Sequence, residues 1–147
     1  VHLGHQALLE TLKKQADNLQ LPMAVLLFEP QPAEYFRPQY APARLTSLRE
    51  KLVVLKHCAV DYVICLKFNK SLALMSAQAF AQNYFFSLLN CKHILIGEDF
   101  RFGQGRFGDI HLLRELSAEQ GCTVQAFPDF SIKNHRVSST KIRDALS

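Results

Sequence analysis

Two short stretches at opposite ends of the chain carry residues suited to handling phosphate. Val1-His2-Leu3-Gly4-His5 sets two imidazoles three residues apart at the mouth of a helix. There, ring N–H donors and the helix N-terminus can face one anion, and Gly4 lets a ligand approach the backbone. Arg136-Val137-Ser138-Ser139-Thr140-Lys141-Ile142-Arg143 offers hydroxyls and backbone N–H groups before a short helix carrying Lys141 and Arg143, a second anion cradle. Each stretch also has a plainer reading. Two histidines at this spacing make half a metal site or a helix cap. Ser139 and Thr140 are ordinary N-cap residues, and Arg143 suits a solvated helix face. The presence of both stretches in one chain is what favours phosphate.

The elements that must carry these ends are read from composition and periodicity. With 147 residues, 48% hydrophobic and 20% charged, the chain is long enough for one domain with a real core. Its four cysteines, Cys58, Cys65, Cys91 and Cys122, are widely spaced without a Cys-x-x-Cys, so neither a zinc site nor a redox pair is indicated and no metal ligands are assigned. No apolar run approaches the roughly 20 residues of a membrane span, and no signal segment opens the chain. The expectation is a cytoplasmic protein with reduced thiols and no membrane partner. A formal charge of +4 suits anionic ligands, but the Lys and Arg are scattered, so nucleic acid is not expected.

Helical and extended patterns alternate along the chain. Gly4 to Asn18 carries Leu8, Leu9 and Leu12 at helical spacing and leads into the apolar run Met23 to Phe28. Ser47-Leu48-Arg49-Glu50 reads as a capping box for a helix with Leu48, Leu52 and Leu55 on one face, before the strand Tyr62 to Leu66. Ser76 caps a helix through Phe80, Tyr84 and Leu88, before the strand His93 to Ile96. Asp109 to Gln120 is a helix before the strand Thr123 to Phe127, and a last helix starts near Ser139. This pattern predicts an α/β fold, a Rossmann-like doubly wound parallel sheet with helices on both faces and the site at the strand C-terminal ends. A histidine turn that opens a helix in such a fold should follow a strand, and here the chain begins at Val1. The expectation is a missing N-terminal strand. If that strand is central, its neighbours carry unpaired groups at about 1 to 3 kcal/mol each, and the fragment is poorly stable alone.

Gly103-Gln104-Gly105-Arg106-Phe107-Gly108 formally satisfies the dinucleotide fingerprint Gly-x-Gly-x-x-Gly. In that fingerprint the first glycine turns directly off the strand, whereas Glu98 to Phe102 intervene here, and Glu119 and Asp129 fit poorly as the distant acidic residue. A flexible, glycine-rich active-site loop is the preferred reading.

Five ordered segments then carry a resemblance: Val1 to His5, Phe28-Glu29-Pro30-Gln31-Pro32, Arg44 to Lys51, Gly97-Glu98-Asp99-Phe100-Arg101-Phe102-Gly103, and Arg136 to Arg143. Together they resemble the FMN adenylyltransferase module of bacterial bifunctional riboflavin kinase/FMN adenylyltransferases, also called FAD synthetases. These belong to the wider His-x-Gly-His nucleotidyltransferase superfamily. The resemblance covers nearly the whole chain, residues 1–147, with Gly103 and Gly108 in its pattern and Gly105 incidental. Two departures stand out: the strand and Gly-x-Phe-Asp turn expected before Val1, and the riboflavin kinase β-barrel expected after Ser147, are not in the sequence. Kinase activity is therefore not carried over to these residues, and the kinase domain is expected C-terminally in the intact protein.

The resemblance implies that FMN attacks the α-phosphorus of ATP, giving FAD and pyrophosphate, with Mg2+ bridging the phosphates. It assigns His2 and His5 to the α-phosphate and departing pyrophosphate. Ser139, Thr140 and Arg143 hold the β and γ phosphates, with Gly4 and Ser138 in the same two segments. It places Pro30 and Pro32 in a loop near FMN, Asp99 as a polar contact and Arg136 as a further anion contact. The plainer readings stay open beside these: the prolines stop a strand, Asp99 forms a turn, and Phe100, Phe102 and Phe107 stack an isoalloxazine or belong to the core. The competing functions are nucleotidyl transfer to a different phosphorylated acceptor, a dinucleotide-binding oxidoreductase, and a non-catalytic nucleotide-binding fragment.

Overall fold

The computed structural model describes residues 3–41, 47–128, 130–132 and 135–137. These fall into two units, one ending at Phe68 and one starting at Asn69.

In the first unit, helix α1 (Leu3–Leu19) leads into strand β1 (Ala24–Glu29). The helix stops where Gln20 takes a left-handed φ of 55°, its closing turn secured by Leu21 N–H donating to Ala16 O at 2.9 Å. Pro22 follows and prevents continuation. After the short helix α2 (Pro32–Phe36), helix α3 (Leu48–His57) returns the chain to strand β2 (Tyr62–Lys67). The Ser47 capping box is formed: Ser47 Oγ accepts from Glu50 N–H at 3.2 Å, and the Glu50 carboxylate accepts from Ser47 N–H at 2.6 Å. β1 and β2 pair in parallel from Ala24↔Tyr62 to Glu29↔Lys67. Leu9 and Ala16 of α1, Met23 and Leu55 form the buried core, with Val25, Leu27 and Val63 packed against it. Both helices thus cover the β1–β2 pair.

In the second unit, Asn69 caps helix α4 (Lys70–Ala73) and Ser76 caps helix α5 (Ala77–Phe80), which continues as a π-helix over Ala81–Leu88. Strand β3 (His93–Gly97) pairs in parallel with strand β4 (Thr123–Phe127), the register running from His93↔Thr123 to Gly97↔Phe127. Between them lies helix α6 (Ile110–Ala118), capped by Asp109, whose Oδ1 accepts from Leu112 N–H at 2.9 Å. Phe80, Phe85, Ile94, Ile96, Phe102 and Leu113 are among its buried residues. Strands β5 (Phe130–Ile132) and β6 (His135–Val137) form an antiparallel pair.

The mixed order and the two parallel pairs agree with the α/β reading. Three elements depart from the expected pattern. The helix capped by Ser76 is α-helical for only four residues before widening. The wider spiral lets both Tyr84 and Phe85 meet Phe80, with ring centroids 5.0 and 5.4 Å away. The β5–β6 hairpin has three-residue strands, too short for a period of two to stand out. The short α2 is set by Pro32 at its first position and by Glu34, whose carboxylate accepts from Gln31 N–H at 2.9 Å. The helix expected near Ser139 lies outside the described residues.

Candidate functional site

In parallel α/β units, ligands bind beyond the C-terminal ends of strands, and the elements of the first unit converge there. A 17-residue helix is about 25 Å long, and the six residues of β1 span about 20 Å. Since α1 enters β1 through a short turn and packs back along it, its first turn lies level with the end of β1. His5 stands in that turn, half-buried, and Gly4 precedes it with helical backbone. The amide groups there have no intrahelical acceptor, so an anion is favoured beside the imidazole. His2 lies outside the described residues.

The chain leaving β1 passes directly through the two predicted prolines. Pro30 follows a cis Glu29–Pro30 peptide and Pro32 opens α2, both half-buried. They deliver α2 against the end of the strand pair and there assemble an aromatic group not anticipated from sequence. Phe68 is the hub, with ring centroids 5.6 Å from Phe28, 5.3 Å from Tyr35 and 5.7 Å from Phe36. Phe36 is 61% exposed, so the group presents an open aromatic face beside the proline loop. The signal that could have found it is register: Phe28 pairs with Leu66, which brings Phe68, two residues on, to the same strand ends.

In the second unit, Gly97 ends β3 and the chain turns at Glu98–Asp99, with Phe100 N–H donating to Gly97 O at 3.1 Å. Asp99 therefore forms a turn, as its plainer reading holds, and sits half-buried just beyond the strand end. Phe102 is core, and Phe100 stacks on it at 5.6 Å, whereas Phe107 is 84% exposed.

The glycine loop that follows is pinned by hydrogen bonds, contrary to the flexible loop expected. Phe102 and Gly108 exchange both backbone hydrogen bonds, at 3.0 and 2.8 Å, and Gln104 N–H donates to Met75 O at 2.8 Å. A Cβ on Gly103 would lie 2.5 Å from Ala77 Cα, and one on Gly108 would lie 2.7 Å from Phe102 O. These glycines serve close backbone packing, not a pyrophosphate turn. Gly105, between them, takes a left-handed φ of +64°.

Of the far-end residues, Arg136 belongs to β6 by its backbone. Ser138, Ser139, Thr140 and Arg143 lie outside the described residues.

No thiol is poised for nucleophilic chemistry among those with shifted acidity. Burial, with repulsion from Cys122, pushes the Cys91 thiol up to about 11, and burial raises Cys122 as well. Both stay protonated near neutrality. Among the described residues, no three His, Cys, Asp or Glu side chains gather as a metal cage, and no helix is long and apolar enough to cross a membrane.

The FAD synthetase family model matches residues 1–141. The bifunctional riboflavin kinase/FMN adenylyltransferase of Escherichia coli is 45% identical over all 147 residues, which cover 47% of its length. The protein of the same name from Haemophilus influenzae is also 45% identical, with 48% of its length covered. The chain thus spans about half the length of the curated relatives it matches. A crystal structure titled as a macrolide-efflux protein from Streptococcus pneumoniae aligns over 98% of this chain and 46% of its own, with a TM-score of 0.78 and 27% identity. That alignment supports the α/β, Rossmann-like reading of the fold.

Proposed function

This chain belongs to the FAD synthetase family, and we propose that it transfers the AMP moiety of ATP to FMN, giving FAD and pyrophosphate. The observation that carries the proposal is 45% identity along the entire chain to proteins named for FMN adenylyl transfer. The placement of His5 and the proline loop at one strand end supports it.

In this reaction a phosphate oxygen of FMN attacks the α-phosphorus of ATP in line. The new phosphoanhydride forms as the bond to the β-phosphate oxygen breaks, and pyrophosphate leaves with the electron pair. Such transfers depend on positioning and on neutralising charge in the transition state, so hydrogen-bond donors matter more than a base. His2 and His5 donate to the α-phosphate oxygens and the departing pyrophosphate, with Gly4 allowing close approach. Ser138, Ser139, Thr140 and Arg143 hold the β and γ phosphates, and Arg136 adds a cation. Pro30 and Pro32 shape the FMN subsite, where the open face of Phe36, Tyr35 and Phe68 suits the flat isoalloxazine; Asp99 supplies a polar contact. Mg2+ accompanies ATP and neutralises phosphate charge when bound.

We assign residues 1–147 to the adenylyltransferase module of a cytoplasmic enzyme. The relatives' names pair this activity with riboflavin kinase, and kinase chemistry is not assigned to any residue here. Incubation with FMN and Mg-ATP, followed by chromatography, tests the reading. FAD and pyrophosphate in equal amounts are expected. Adenylylation of a different phosphorylated acceptor with none of FMN would reject it.

A further inference from the structure

The loop leaving β3 presents an aromatic ring that neither core packing nor the mechanism uses. Phe107 is 84% exposed, and its ring lies over Gly105, where a Cβ would come within 2.8 Å of the ring edge. The loop beneath it is closed by the Phe102–Gly108 exchange and anchored to Met75 O through Gln104 N–H. Two inner bonds tighten the tip, Arg106 N–H to Gly103 O at 3.1 Å and Phe107 N–H to Gln104 O at 3.4 Å. A single exposed Phe on a loose loop needs no explanation. This one is held out on a hydrogen-bonded support at the C-terminal end of a parallel strand, where ligands bind, so little ordering entropy is lost when something flat meets it. Arg101 and Arg106, both exposed in the same loop, add positive charge suited to a ring that carries phosphate.

We propose that Phe107 is a stacking platform for a planar heteroaromatic ring of substrate, adenine or isoalloxazine, presented by the glycine-pinned loop 103–108. The inference rests on the adenylyl-transfer reading for its choice of ligand. Face-to-face stacking on an exposed side chain is sequence-tolerant and depends on an aromatic π-face, not on apolarity alone.

The test compares Phe107→Ala, Phe107→Leu and Phe107→Tyr with the unmodified protein, reading KM for FMN, KM for ATP and kcat separately. Direct binding of FMN by flavin fluorescence and of ATP by calorimetry is measured alongside. Phe107→Ala is expected to raise KM and Kd for one substrate at least about fivefold with kcat within about twofold. Phe107→Leu should remain weak, and Phe107→Tyr should restore binding. A rise confined to FMN identifies the isoalloxazine, and one confined to ATP identifies adenine. Unchanged affinity for both substrates, or full rescue by Leu, overturns the proposal. If the unmodified protein binds both ligands yet makes no FAD, adenylyl transfer is rejected while the binding comparison still decides the role of Phe107. Failure of the unmodified protein to bind either ligand overturns both.

Discussion

The loops that leave the C-terminal ends of β1 and β3 are held by opposite means. After β1, Pro30 and Pro32 restrict the backbone directly, since each ring fixes its own φ, and the loop then gathers Phe28, Tyr35, Phe36 and Phe68 into a mutual aromatic contact. After β3, the backbone is permissive by type and is fixed by contact instead, with Gly103 against Ala77 and Gly108 against Phe102. Its aromatic residues divide, Phe102 into the core and Phe107 into solvent. Rigidity at a ligand-facing edge can therefore be written locally, in the residue, or tertiarily, in what the residue touches. Only the first kind is visible in a short motif.

Breaking each side should have distinct signatures. The largest effect is expected in the first unit at His5. Its replacement by Ala lowers turnover at least about 100-fold, the loss typical for one transition-state donor, with ATP binding little changed; single-turnover kinetics with a separate binding titration check this. In the second unit the loop's rigidity should appear as stability. Gly103→Ala is expected to cost about 3 kcal/mol, combining left-handed strain with a backbone clash. Gly121→Ala shares the positive φ, at +64°, but meets nothing within 4 Å, and should cost only about 1 kcal/mol. Urea unfolding of the pair measures the difference, and equal costs would mean that the Ala77 contact does not hold the loop.

A smaller effect is expected at Ser76, whose Oγ accepts from Ala79 N–H at 3.1 Å. Removing this cap should cost about 1 kcal/mol, read in the same unfolding series. The smallest is a pH effect confined to the second unit. Because the folded Cys91 thiol titrates near 11 instead of 9.0, the folded state holds its proton where the unfolded chain has lost it. Stability is then present in full below pH 9 and falls as pH rises toward 11. Cys91→Ser should flatten that decline in unfolding measured across the range.

How much was legible follows the same division. Patterns carried within one element read correctly: the Ser47 capping box, the apolar strands beginning at Tyr62, His93 and Thr123, and the helix opening at Asp109 all appear where local chemistry puts them. Pro30 and Pro32, whose plainer reading is that they stop a strand, stand directly after β1. What stayed hidden depends on partners distant in sequence. The π-helix answers to rings packed on Phe80. The aromatic group needs the β1–β2 register, and the glycine loop reads as flexible until Ala77 and Met75 are seen beneath it.

In the proposed reaction the α-phosphorus of ATP passes to FMN. ATP radiolabelled at the α-phosphorus, and separately at the γ-phosphorus, should be incubated with the protein, FMN and magnesium, and the flavin products separated. The expected result is α-label in FAD, γ-label in pyrophosphate, and both products formed at least about 100-fold more slowly with His5→Ala. Label from the γ position in the flavin product, or unlabelled FMN as the only flavin recovered, would contradict it.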